Sequence, residues 1–108
     1  MKKILIILFT LLICTNVIAA GYQNGQVVQI LTRSNDGLTW FYLSGTASGH
    51  PTCATNTYWI LPNPSTEIGK RQLSTLMAAK AQGLPVTVFG TNTCTTWGDG
   101  EDALVIVY

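Results

Sequence analysis

Asn63–Pro85, NPSTEIGKRQLSTLMAAKAQGLP, is the one convincing helix in a chain whose other segments read as strand or turn. Asn63 can cap it and Pro64 can open it, because a first-turn residue needs no N–H donor. Ser65 is an alternative cap. Glu67 falls where a negative charge suits the positive end of the helix dipole. Gly83 is a natural left-handed stop, and Pro85 forbids continuation. The helix should then run about 17 residues, roughly 25 Å. At 100° per residue, Ile68, Leu73, Leu76, Met77 and Ala79 fall in one half and should face a core. Gln72 and Lys80 interrupt that stripe. The other half carries Lys70, Arg71, Ser74, Thr75, Ala78 and Ala81. It reads as an ordinary solvated face or as a close-packing surface.

The segments before the helix read as three strands. Gly21–Gly25 is a polar, exposed lead-in. Residues 26–33 (QVVQILTR) are rich in β-branched side chains, and residues 38–44 (LTWFYLS) form a second strand. Between them, Ser34-Asn35-Asp36-Gly37 has the Asp-Gly pair of a hairpin turn, so the two strands should pair antiparallel. Trp40, Tyr42 and Ser44 share one face of the second strand, and Phe41 and Leu43 the other. A loop of small residues, Gly45–Pro51, leads to a third strand over residues 52–61. After the helix, residues 84–90 read as a strand with Val86 and Val88 on one face and Thr87 and Phe89 on the other. Thr91–Asp102 is a long loop, and residues 103–108 (ALVIVY) form a last strand. The order β-β-β-α-β-β predicts a mainly β fold with one helix, specifically a five-stranded OB-fold Greek-key barrel whose helix closes one end. An open-sheet α+β roll is the alternative.

The first twenty residues read as processing signal rather than fold. Lys2 and Lys3 precede an apolar run from Ile4 to Ile13, and Val17-Ile18-Ala19-Ala20 offers a small-residue cleavage site. This is a secretory signal peptide over 1–20, cut after Ala19 or Ala20, followed by a single domain over 21–108. The apolar run is too short to span a membrane comfortably. Ile13 stands where a lipoprotein signal would place a small residue before Cys14. The product should be exported, to the periplasm or the extracellular space.

Four basic residues then remain (Arg33, Lys70, Arg71, Lys80) against five acidic ones (Asp36, Glu67, Asp99, Glu101, Asp102), a formal balance of −1. That is a poor electrostatic match for nucleic acid. Cys53 and Cys94 remain as an even pair in an oxidising compartment and should be bridged. The chain-entropy argument gives about 4 kcal/mol for a loop of this length. A metal site has only His50 to add to the two thiols, and the spacing is not that of a redox pair.

Chemistry-bearing residues are few. His50 is the one histidine and reads as a surface loop residue without a role. Asp99, Glu101 and Asp102 sit together on one loop, whereas glycosidase chemistry needs acids on opposite sides of a cleft. They read as a solvated turn, with weak calcium affinity at most. No phosphate loop follows a strand. The expectation is a non-enzymatic protein without cofactor or metal. The aromatic residues Trp40, Tyr42, Tyr58, Trp59 and Trp97 are more informative, since such rings stack on sugars and bases and also fill cores and interfaces. Trp59 should be core, and Trp40, Tyr42 or Trp97 partly exposed.

The run Pro51-Thr52-Cys53-Ala54, with Trp59, Gly69-Lys70, Leu73-Ser74, the segment Leu76–Ala81 and Gly83, resembles a family of small secreted bacterial proteins. Val86–Gly90, Cys94, Trp97-Gly98-Asp99 and Glu101 extend the likeness, which covers about Gly25–Val107. The arrangement is also remotely similar to the B subunits of subtilase cytotoxin and related pertussis-like AB5 toxins. That resemblance implies an OB-fold with an internal disulfide, a pentameric homo-oligomeric ring, binding to cell-surface glycans and an enzymatic A subunit as partner. By approximate alignment it places a sugar site at Asn24 and Ser44, with Tyr22, Trp40 and Tyr42 as stacking candidates. The toxins have an acidic residue where Ser44 stands, which argues against carrying over sialic-acid specificity. It also implies a ring-packing role for the helix face of Arg71, Ser74, Ala78 and Ala81. The alternative is a monomeric periplasmic domain that binds a protein partner or serves envelope maintenance; a minor hydrolase is a third and weaker option.

Overall fold

The structure is a computed structural model and describes residues Ala20–Tyr108. The leader read in residues 1–20 lies outside the described residues apart from Ala20. The elements are β1 (Tyr22–Thr32), β2 (Thr39–Leu43), β3 (Trp59–Leu61), α1 (Glu67–Gln82), β4 (Pro85–Gly90) and β5 (Glu101–Val107). The fold is thus mainly β with one helix. Five strands pair in a closed order, β1-β2-β3-β5-β4. All pairs are antiparallel except β3 with β5.

β1 makes closure possible. Its first half, Tyr22–Gln26, pairs with β4, and its second half, from Val27 onward, pairs with β2. The register slips between Val27 and Gln29, and an extra residue in one strand of a pair bends and twists it. The segment read as an exposed lead-in, Gly21–Gly25, therefore belongs largely to β1. Gln23 and Gly25 point inward, because the strict alternation of that stretch continues the period of the strand. The hairpin forms at Asp36-Gly37 as expected. The Asp36 carboxylate accepts from the Leu38 N–H at 3.1 Å, and Gly37 takes a positive φ of 73°.

α1 starts later than Asn63 or Ser65 would place it. Thr66 is the cap, accepting from the Gly69 N–H at 3.1 Å. Its own hydroxyl donates to the Asn63 carbonyl, so the Asn63-Pro64-Ser65 segment is a turn that feeds the cap. Gly83 ends the helix in the left-handed region, at φ 66°, and its N–H returns to the last turn. The buried face also differs from the hydropathy reading. Gly69, Leu76 and Ala79 are buried, while Ile68 and Met77 are largely exposed. The helix packs against β1, β3, β4 and β5, while Gly69 lies against the backbone of Asn63 and Pro64, where no side chain would fit. Arg71, Ser74, Ala78 and Ala81 are exposed.

The core is Val27, Phe41, Leu43, Trp59, Leu76, Ala79, Val86, Val88 and Ala103. The alternation read for β2 and β4 holds, with Phe41, Leu43, Val86 and Val88 inward. The third strand is much shorter than residues 52–61. Only Trp59–Leu61 pairs, because the preceding segment is held by Cys53 and by side-chain bonds to another loop rather than by a neighbouring strand. Cys53 and Cys94 are bridged, with Cα atoms 6.2 Å apart. No helix among the described residues is long and apolar enough to cross a membrane.

Candidate functional site

β2 alternates, so the side chains that do not enter the core emerge together on its outer face. These are Trp40 and Tyr42, both half-buried. Tyr58, just before β3, packs against both, with ring centroids 6.5 Å from Trp40 and 5.7 Å from Tyr42. Trp97 closes the far side from the β4–β5 loop. With Arg33, Leu38 and Ile60 these rings line a cleft of about 250 Å³. The cleft therefore draws on the β1–β2 loop, the outer face of β2, β3 and the β4–β5 loop.

Two devices hold its walls. The loop before β3 and the loop before β5 carry Tyr58 and Trp97, and the Cys53–Cys94 disulfide joins them. Asp99 is the second clasp. Its carboxylate accepts from the Tyr58 hydroxyl and from Asn56 Nδ2 at 2.8 Å, and its carbonyl accepts from the Asn56 N–H at 3.1 Å. Burial first, then the hydrogen bond to Asp99 and its charge, push the Tyr58 phenol up to about 12. Tyr58 is therefore a neutral donor locked onto Asp99. On the opposite wall, Arg33 lies over the Trp97 ring, 4.6 Å from its centroid, an arrangement that fixes the indole by cation–π attraction. Arg33 is itself held by Asp36 through paired contacts. Those bonds, with that from the Leu38 N–H, hold the Asp36 carboxyl down to about 2.

A larger depression of about 610 Å³ lies on the other side of Leu38 and Trp97, between the β1–β2 loop and the start of α1. Its lining mixes Leu38, Leu61, Leu73 and two prolines with small polar side chains, and Trp97 is its one ring. The smaller cleft is the better candidate on chemistry, because Trp40, Tyr42 and Tyr58 join Trp97 there.

The five residues singled out for sugar contact divide between two surfaces. Trp40 and Tyr42 are in the cleft. Tyr22 lies on the β1–β4 face, its ring 5.3 Å from that of Phe89. Asn24 is turned toward β4, where Nδ2 donates to Thr87 Oγ1 at 2.8 Å. The Ser44 hydroxyl accepts from the Gln26 N–H at 2.9 Å. The sequence reading does not assign Arg33, Tyr58 or Asp99 to sugar contact. Tyr58 and Trp97 stood out as aromatic, but their meeting across 39 positions depends on the disulfide and on Asp99.

A second polar cluster sits inside the barrel end. Glu101 and Asp102, expected in a solvated turn, are 0% and 2% exposed. They start β5 and are drawn in by donors. Glu101 accepts from the Gly21 N–H at 3.0 Å and the Asn92 N–H at 2.9 Å, and His50 Nδ1 lies 2.6 Å from its other oxygen. Asp102 accepts from the Thr95 N–H at 3.1 Å and the Thr95 hydroxyl at 2.6 Å. His50 is accordingly no free surface residue. Its ring packs on Trp59, 4.6 Å between centroids, and Trp59 Nε1 donates to Gln23 Oε1 at 2.8 Å. Among the described residues no three His, Cys, Asp or Glu side chains converge as a metal site.

No family model, curated protein or solved structure matches the chain.

Proposed function

We propose that the chain is an exported, non-enzymatic OB-fold binding module that recognises carbohydrate through the cleft of Trp40, Tyr42, Tyr58 and Trp97. The OB-fold reading is supported by the closed strand order, the parallel β3–β5 pair and the helix between β3 and β4. OB-folds bind oligosaccharides and oligonucleotides on the strand 2–3 face and its flanking loops, and the cleft occupies the corresponding surface. The observation that carries the reading is the convergence of four rings there.

Charge separates the two ligand classes. A phosphate backbone needs free cations. Arg33 is the one cation lining the cleft, and it is engaged by Asp36. Asp99 places a carboxylate beside the rings. A neutral or weakly polar sugar stacks on such rings without that requirement. The His50–Glu101 pair does not suggest catalysis, because it is enclosed and His50 Nε2 is buried.

Two surfaces favour self-association, the ring implied by the toxin resemblance. One is the small-residue helix face of Arg71, Ser74, Ala78 and Ala81. The other is an exposed strip across β1, β4 and β5 made by Tyr22, Phe89, Val105 and Val107. A ring would multiply weak single-site affinity by avidity. The enzymatic partner that the toxin resemblance implies would sit on such a ring.

A glycan array with the mature protein and with Trp40→Ala and Trp97→Ala tests the ligand. Binding to a defined glycan group, lost in both variants, is the expected result; no binding to any glycan sinks the reading. Light scattering at micromolar concentration tests the ring separately. A strict monomer would leave the single-domain binding protein and remove the toxin-like assembly.

A further inference from the structure

Glu101 is a fully buried carboxylate, and a buried charge is retained only when it is paired. Two of its three partners are neutral backbone N–H groups, from Gly21 and Asn92. The third is His50 Nδ1. An imidazolium there would carry a second N–H at Nε2, and that atom is buried with no acceptor. The residue that donates at 3.0 Å from the other side, Gly21, is the first residue after Ala20. Gly21 is buried, Ala20 is exposed, and a Cβ at Gly21 would overlap the Glu101 carboxylate and approach His50. The site is therefore shaped for a side-chain-free nitrogen whose chain leaves outward at once.

We propose that Glu101 is the receptor for the α-ammonium group that cleavage after Ala20 creates on Gly21, so that removal of the leader completes the charge balance of the barrel end. Water adds across the Ala20–Gly21 peptide bond under a peptidase of the signal-processing class. The hydroxyl goes to the Ala20 carbonyl, which leaves as a carboxylate with the leader. The Gly21 nitrogen takes up a proton and becomes an ammonium against Glu101 Oε2. The neutral amide donor is thereby replaced by a cationic one, so that a hydrogen bond to the carboxylate becomes an ion pair in a dry site, where such contacts are strongest. The alternative cut after Ala19 would leave an extra residue and hold the charge outside.

The inference rests on the export reading, and its test keeps the two apart. The full chain is exported from a bacterial host and its intact mass is measured. A product beginning at Gly21 is expected. A product beginning at Ala20 overturns the receptor while leaving export intact, and an uncut chain overturns both. The Gly21 product is then melted beside a protein that retains Ala20, released from a cleavable fusion. The Gly21 product should melt about 5 °C or more higher. Glu101→Gln should erase that difference; equal melting in the wild type, or a difference that survives Glu101→Gln, overturns the proposal. Should Glu101→Gln not fold, carbamylation by cyanate gives the same answer on the wild type. The α-amine should react about tenfold more slowly in the folded than in the urea-unfolded protein, and equal rates overturn the proposal.

Discussion

Trp59 and Trp97 carry the same side chain into opposite surroundings. Trp59 is fully buried, donates to Gln23 and stacks on His50, so its surface is spent on the core. Trp97 is 40% exposed and Arg33 lies over its ring, so part of the indole remains uncovered. The barrel end around Trp59 is a closed polar network in which Glu101 and Asp102 accept from backbone N–H groups and Trp59 donates to Gln23. The cleft around Trp97 is an open set of rings positioned by loop clasps. Burial in one region stabilises the fold; incomplete burial in the other leaves ring surface open for the recognition proposed above. Perturbing each region should therefore separate stability from binding.

The largest effect belongs to the clasp that serves both regions. Replacing Cys53 and Cys94 by Ser should cost about 4 kcal/mol of unfolding free energy in urea titration, because the open chain regains the entropy of a 41-residue separation. Glycan affinity should fall with it, since Tyr58 and Trp97 lose their tether. Glu101→Gln comes next, at about 2 kcal/mol, because three donors lose a charged acceptor in a dry site. Its cleft should bind normally at temperatures where it is folded. Trp97→Ala should change stability by less than about 1 kcal/mol, as expected for a partly exposed ring, yet weaken binding about tenfold by calorimetry. If Glu101→Gln abolished binding while Trp97→Ala did not, the division between the two regions would be broken.

The pH effects are the smallest. Asp36 is held down to about 2 by Arg33, so the stabilisation it contributes is present above the ordinary aspartate range. It should be lost as pH falls from about 4 toward 2. Because Arg33 lies over Trp97, fluorescence of the exposed indole should report that loss, while Trp59 stays silent until global unfolding. At the alkaline end the Tyr58 phenol is pushed up to about 12. Its contribution is complete below the ordinary tyrosine range near 10 and is lost as pH rises through about 12. Of the four tyrosines, one should titrate late by ultraviolet difference absorbance, and Tyr58→Phe should remove that late step.

Element order, the hairpin and the disulfide follow from local rules: β-branched runs, an Asp-Gly turn and an even pair of cysteines. Tertiary effects account for the differences. Thr66 displaces Asn63 as cap because Asn63 supplies its carbonyl to the Thr66 hydroxyl instead. Ile68 and Met77 face outward while Gly69 packs on the Asn63-Pro64 backbone, where a Cβ would overlap the Asn63 carbonyl, a contact that hydropathy alone does not encode. Glu101 and Asp102 read as a solvated turn because charge implies solvent unless donors are known. Those donors come from Gly21, His50 and Asn92, and from Thr95, at other points of the chain. Trp40 and Tyr42 could be paired from strand alternation alone, whereas their meeting with Tyr58 and Trp97 needed three-dimensional closure.

The most direct test follows the three indole N–H resonances of the protein by nuclear magnetic resonance while a glycan selected by array is titrated in. Saturable shifts at Trp40 and Trp97, with Trp59 unmoved, are the predicted result. A shift confined to Trp59, or no shift at Trp40 and Trp97 while the glycan binds, would contradict recognition at the aromatic cleft.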